Sequence, residues 1–163
     1  MTTVARRRLP VGIQSFVEIR KRGYLYVDKT DIVWNLVNGV KFNYLSRPRR
    51  FGKSVLVDTL RAYLEGRKDL FEGLKIMNLE TEWVERPVIR LDMSRGGSSQ
   101  TTLRSYLNNA FKEFENRYDI AVQPDDSLAD RFHHIIKTAY EQTGLKVAIL
   151  IDEYDSPLQH SWH

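Results

Sequence analysis

"LSRPRRFGKSVL", residues 45–56, places a Gly-Lys-Ser triplet at positions 52–54 immediately ahead of an apolar helical repeat. The pattern G-x-x-x-x-G-K-[ST] requires its first glycine at position 47, where this chain has Arg47 followed by Pro48. Upstream, "VKFNYL" (40–45) is an apolar-rich run of strand length; downstream, Val55, Leu56, Leu60 and Leu64 recur at helical spacing until Gly66. A strand, a tight turn and a helix make backbone N–H groups converge on an anion, and the positive end of the helix dipole adds to that field. In that setting Gly52 lets the backbone approach phosphate, Lys53 neutralises it, and the Ser54 hydroxyl ligates Mg²⁺. The glycine absent at position 47 is worth only about 1 kcal/mol of backbone preference. Pro48 biases Arg47 toward extended geometry in its place.

Working outward, "GYLYVDKTDIVWNLVNG" (23–39) turns helical after Asp28, its expected N-cap, with Ile32, Val33, Leu36 and Val37 on one face and Gly39 as the stop. "PVIRLDMS" (87–94) reads as a strand, and "SRGGSSQTT" (94–102) as a loop. "TTLRSYLNNAFKEFENRY" (101–118) is an amphipathic helix with Leu103, Leu107, Phe111 and Phe114 together. A further helix follows in "DDSLADRFHHIIKTAYEQTG" (125–144), capped by Asp126 or Ser127 and stopped by Gly144. "KVAILIDEYDSP" (146–157) is the most hydrophobic strand, and its run from Val147 to Ile151 suits burial on both faces. Strands alternating with helices predict an α/β fold with a parallel sheet, whose ligands collect at the C-terminal strand ends.

The last strand ends in Asp152-Glu153. Phosphoryl chemistry needs a carboxylate to hold Mg²⁺, here Asp152, and a second acid, Glu153, can polarise the attacking water. These two stretches therefore predict a cationic amine and a pair of acids facing one triphosphate.

"YVDKT" (26–30), "LSRPRRFGKSVL", "PVIRLDMS" and "ILIDEYDSPL" (149–158) together resemble the AAA-ATPase-like domain family, in the family's order and over most of the chain. The resemblance implies a P-loop NTPase three-layer fold with a mostly parallel sheet, occupying residues 1–163 as a single domain. It makes Arg49, Arg50, Phe51, Gly52, Lys53, Ser54 and Val55 the ATP-binding loop, with Ser54 and Asp152 on Mg²⁺ and Glu153 and Lys53 catalytic. Asp28 to Thr30 fall at a helix start near the base or ribose, and Asp92 is a third acidic candidate. Family members commonly continue into a PD-(D/E)XK nuclease-like domain, which implies DNA or RNA as a partner of the whole protein. Eight residues follow Asp155, so the expectation is a truncated domain lacking its sensor strand, with "FNYL" (42–45) and "VAILI" (147–151) either paired directly or splayed.

Composition bounds the alternatives. The 163 residues are 42% hydrophobic and 28% charged, which is ordinary for a globular domain, and zero cysteines exclude disulfides and thiolate metal sites. No run reaches the ~18 apolar residues of a membrane helix, and a cytoplasmic location is expected. The net charge of +4 and the clusters at Arg6–Arg8, Arg20–Arg22 and Arg47–Lys53 leave a second reading, a basic nucleic-acid-binding module. Metal hydrolase chemistry is the weakest alternative. His133 and His134 are adjacent and point to different faces, and His160 and His163 lack a carboxylate at motif distance.

Overall fold

The computed structural model describes residues 7–39, 41–46, 52–97 and 99–156. These fall into two compact units, 1–85 and 86–163.

The first unit is helical throughout its described residues that take regular structure. Helix α1 (Phe16–Lys21) starts at Ser15, whose side chain accepts the Glu18 N–H, and α2 spans Thr30–Asn38. Helix α3 (Lys53–Leu64) follows Gly52, and short 3-10 turns at Lys68–Leu70 and Lys75–Asn78 complete the layer. Phe16, Val33, Ala62, Tyr63, Leu70, Phe71 and Ile76 form the core, with Trp34, Val37, Leu56, Leu60 and Trp83 packed against it. Each fully buried Phe or Ile contributes about 1.5–3 kcal/mol. The Phe16 ring lies 4.9 Å from that of Phe71 and meets Tyr26 edge-on at 5.1 Å. The inward face of α2 is therefore Val33, Trp34 and Val37; Ile32, expected on it, is 45% exposed.

The strand expected over residues 40–45 is not formed among its described residues, 41–45. Residues 42–46 are irregular, with Phe42 82% and Tyr44 72% exposed. A strand gains its ladder only from a neighbour, and the described residues of this unit contain no other strand for it to pair with.

The second unit runs β1 (Val88–Asp92), a 3-10 turn at Met93–Gly96, α4 (Gln100–Arg117), α5 (Leu128–Thr143) and β2 (Ala148–Asp152). The strands pair in parallel, Val88 against Ala148 through Asp92 against Asp152. Of the expected alternation, the described residues carry this one strand–helix–helix–strand crossover, and its small parallel sheet is compatible with an α/β fold. "VAILI" thus pairs with β1 and not with "FNYL". Nor is β2 buried on both faces as its composition suggested. Ile149 and Ile151 are 41% and 48% exposed, because β1 alone pairs with it among the described residues.

Both long helices have the caps their sequences call for. Ser99 with Thr102 and Ser127 with Asp130 each form a reciprocal capping box, and Gly144 closes α5 at φ 68°. The stretch read as a loop over 94–102 is shorter than that, since Met93–Gly96 is a 3-10 turn and α4 begins at Gln100. Gly97 sits at φ 65°, and a Cβ on Gly96 would lie 2.6 Å from Leu103 Cδ1, so the two glycines let the turn close onto α4. Phe111 and Phe132 stack at 5.4 Å over Ile89, Leu91, Phe114 and Ile135. Beside them Arg131 of α5 makes a two-pronged, buried ion pair with Glu115 of α4, at 2.7 and 2.9 Å, and also donates to the Asn108 side chain.

Candidate nucleotide site

Gly52 has φ 75° and ψ 22°, the left-handed conformation. Only glycine enters it without penalty, which explains why the triplet begins with glycine even though a Cβ there would meet nothing within 4 Å. The Gly52 carbonyl accepts the Leu56 N–H at 3.0 Å, so the twelve-residue α3 begins abruptly at Lys53. The first N–H groups of such a helix have no intrahelical acceptor, and Lys53, Ser54 and Val55 are half-buried in that first turn. Among the described residues Lys53 has no ion-pair partner. Arg47, Pro48, Arg49, Arg50 and Phe51 lie outside the described residues.

Helix α3 is anchored from behind. Asp58, 7% exposed, accepts the Phe16 N–H at 2.7 Å and the Ser15 hydroxyl at 3.0 Å, closing the N-terminus of α1 onto the helix that follows the loop. Sequence reasoning missed this contact. The available signal was a lone aspartate among the apolar positions of an amphipathic helix.

Asp28 and Thr30, in the segment placed near a base or ribose by the resemblance, have a structural task in this unit. One Asp28 oxygen accepts both the N–H and the hydroxyl of Thr30, at 2.9 and 2.7 Å, and the other accepts the Lys75 N–H at 2.8 Å. Thr30, fully buried, accepts the Ile76 N–H at 3.1 Å, so the segment clamps α2 to the Lys75–Asn78 turn. Asp28, the expected N-cap, therefore acts one residue ahead of the cap that forms, Lys29 being the capping residue by backbone geometry. Burial pushes the Asp28 carboxyl up, but the Thr30 and Lys75 hydrogen bonds more than offset it and hold it below the usual carboxylate range.

In the second unit the parallel register sets Asp92 directly beside Asp152 at the C-terminal strand ends. Their side chains are used differently. Asp92 folds back to accept the Ser94 N–H and hydroxyl, at 3.1 and 2.6 Å, capping the following turn. Asp152 is 6% exposed; one oxygen accepts the Glu153 N–H at 3.0 Å and the other lies 3.9 Å from the Arg90 guanidinium. Arg90 was not singled out from sequence, although an arginine inside the strand "VIRLD" was the clue. Glu153 has φ 50°, a conformation that a residue with a side chain adopts at a cost of about 1–3 kcal/mol. Its carbonyl accepts the Ser156 N–H at 2.9 Å, which fixes that turn. Lys53, Ser54 and Val55 thus belong to the first unit and Asp152 and Glu153 to the second. Of the four histidines, His133 and His134 have ring centroids 6.3 Å apart, and His160 and His163 lie outside the described residues. No helix of the described residues is long and apolar enough to cross a membrane.

Known proteins give these observations a context. A family model described as "Predicted AAA-ATPase" matches residues 10–163. The chain is 36% identical over 158 residues to an "Uncharacterized protein in vnfD 5'region" of Azotobacter chroococcum mcd 1, covering 95% of this chain and 30% of that protein. The chain therefore spans about 30% of the length of the curated relative it matches. No solved structure matches the chain significantly. With the left-handed glycine, the lysine-serine helix start and the acidic strand end in place, and the match extending over nearly its whole length, this chain belongs to the predicted AAA-ATPase family.

Proposed function

We propose that the chain binds ATP through the turn at Gly52, Lys53 and Ser54, with Arg49, Arg50, Phe51 and Val55 completing the loop. The observation that carries this reading is the left-handed Gly52 leading directly into a twelve-residue helix whose first residues are lysine and serine. A negative charge is stabilised at such a terminus by its unpaired N–H groups and by the helix dipole. Lys53, without an acid partner among the described residues, supplies the cation for the transferring phosphate.

The donor set fits Mg²⁺, which takes hard oxygen ligands and usually only one or two from the protein. The Ser54 hydroxyl and the buried Asp152 carboxylate would hold it, and the ion would draw charge from the phosphate oxygens. Glu153, the acid next in sequence, orients the attacking water. The fold that serves this chemistry is the three-layer P-loop arrangement with a mostly parallel sheet. In the full-length protein the module drives a nuclease-like domain acting on DNA or RNA.

Equilibrium dialysis with labelled ATP tests the reading. Wild-type protein is expected to retain ATP in a Mg²⁺-dependent way, Lys53→Ala to lose it, and Asp152→Asn to lose the Mg²⁺ dependence. Equal retention by wild type and Lys53→Ala counts against it. DNA affinity that falls steeply with salt and ignores ATP would favour the basic nucleic-acid module instead.

A further inference from the structure

A cavity of about 450 Å³ opens in the second unit between β1, the turn after it and the outer side of α4. Its size is that of a small-molecule site. The residues that give it chemical character are Arg90, Arg95, Ser105, Tyr106, Asn109 and Glu113. None of them figures in the nucleotide site except Arg90, through its contact with Asp152.

We propose that this cavity binds a small phosphate monoester, with its phosphate at the Arg95 end. Arg95 has no carboxylate partner among the described residues, and its guanidinium stands 5.8 Å from the centre of the Tyr106 ring. That ring is held from the far side, because the Tyr106 hydroxyl accepts the Asp92 N–H at 2.8 Å. The guanidinium is thus set over a fixed aromatic wall, the arrangement in which arginine offers its fork of donors to an oxyanion. Ser105 and Asn109 stand one turn apart on α4 and add a hydroxyl and an amide along the same wall. Charge is graded along the cavity. Arg95 is joined by the positive, N-terminal end of the eighteen-residue α4, while Glu113 lies two turns beyond Ser105, roughly 12 Å along the helix. An anion is attracted at one end and repelled at the other, so the ligand has one orientation. Phe114 and Ala110 supply an apolar seat for the body of the molecule. Free phosphate would use only the Arg95 end; a monoester also covers the aromatic and apolar surface.

The test uses the full chain carrying Lys53→Ala, so that the loop at Gly52 contributes little, with backbone amide NMR shifts as the readout. Inorganic phosphate and AMP are titrated separately at constant ionic strength. Both are expected to shift the amides of Arg95, Ser105 and Asn109, AMP at lower concentration than phosphate. Adding Arg95→Met should weaken AMP about tenfold, the loss of one charge-assisted contact. Arg104→Met, an exposed arginine of α4 outside the cavity, should change nothing. Equal weakening by Arg104→Met would reduce the effect to general basic attraction and overturn the proposal. So would shifts confined to residues 52–55, or phosphate binding as tightly as AMP. Failure of the ATP reading leaves wild type and the Lys53→Ala chain alike in these titrations, so the two proposals fail separately.

Discussion

Replacing Gly52 by alanine separates the backbone argument from the nucleotide argument. The new Cβ would meet nothing within 4 Å, so no steric clash enters the cost. What remains is the dihedral term: at φ 75°, ψ 22° an L-residue pays roughly 1–2 kcal/mol relative to its right-handed alternative. Alanine also narrows the unfolded ensemble, which returns about 0.4–1 kcal/mol. The net expectation is a loss of about 1 kcal/mol. Asparagine tolerates the left-handed region better, so Gly52→Asn should lose less. Urea unfolding followed by tryptophan fluorescence reads this out. Trp34 and Trp83 both pack on the core of the first unit, and a Trp162→Phe background removes the third tryptophan. With a slope of about 1–3 kcal/mol per molar urea, the alanine variant should shift the midpoint down by roughly 0.3–1 M without changing the slope. ATP retention should fall in both variants, since each crowds the turn against phosphate. An unchanged midpoint in Gly52→Ala, or equal losses for alanine and asparagine, would refute the left-handed reading of this residue.

Arg131→Met should cost about 3–5 kcal/mol, because it strands the buried Glu115 carboxylate, whereas the double variant Arg131→Met, Glu115→Leu should recover most of that loss. Chemical denaturation followed by circular dichroism checks this, and a single-variant cost below about 1 kcal/mol would mean that the pair behaves as a surface contact. Asp28, whose folded carboxyl titrates below the usual range, contributes stability that is complete above the unfolded value near 3.9 and is lost as pH falls through the folded one. Melting temperature against pH should therefore drop less steeply on the acid side in Asp28→Asn than in wild type; superimposable acid limbs would show that the clamp carries no charge-dependent stability.

Elements whose signals are local were legible in the sequence. Ser127, Gly144 and the face containing Phe111 and Phe114 could be read directly, because caps and amphipathic spacing depend on residues within a few positions of one another. Both paired strands were legible from their apolar runs. "VKFNYL" carries the same signal and fails, since strand formation depends on a partner that the sequence of the run does not encode. The helix start after Gly52 was readable too, from the apolar repeat that follows it. The partners that hold site residues in place were not. Arg90 beside Asp152, Asp58 beneath α1 and Glu115 against Arg131 are charged residues that linear reading assigns to solvent. Burial of a charge follows from tertiary packing, and the packing joins positions far apart in the chain.

The pairing of Val88 with Ala148 sets the order in which the second unit is built. A growing chain exposes Ile89 and Leu91 while both helices are still being synthesised, and their ladder partners emerge last. Helices α4 and α5 can close on each other early, since their contacts are nearer in sequence, and they offer those two side chains temporary cover. Parallel pairing must then wait for the full crossover, which makes it the slow step and leaves the nascent strand open to unwanted association until Asp152 arrives.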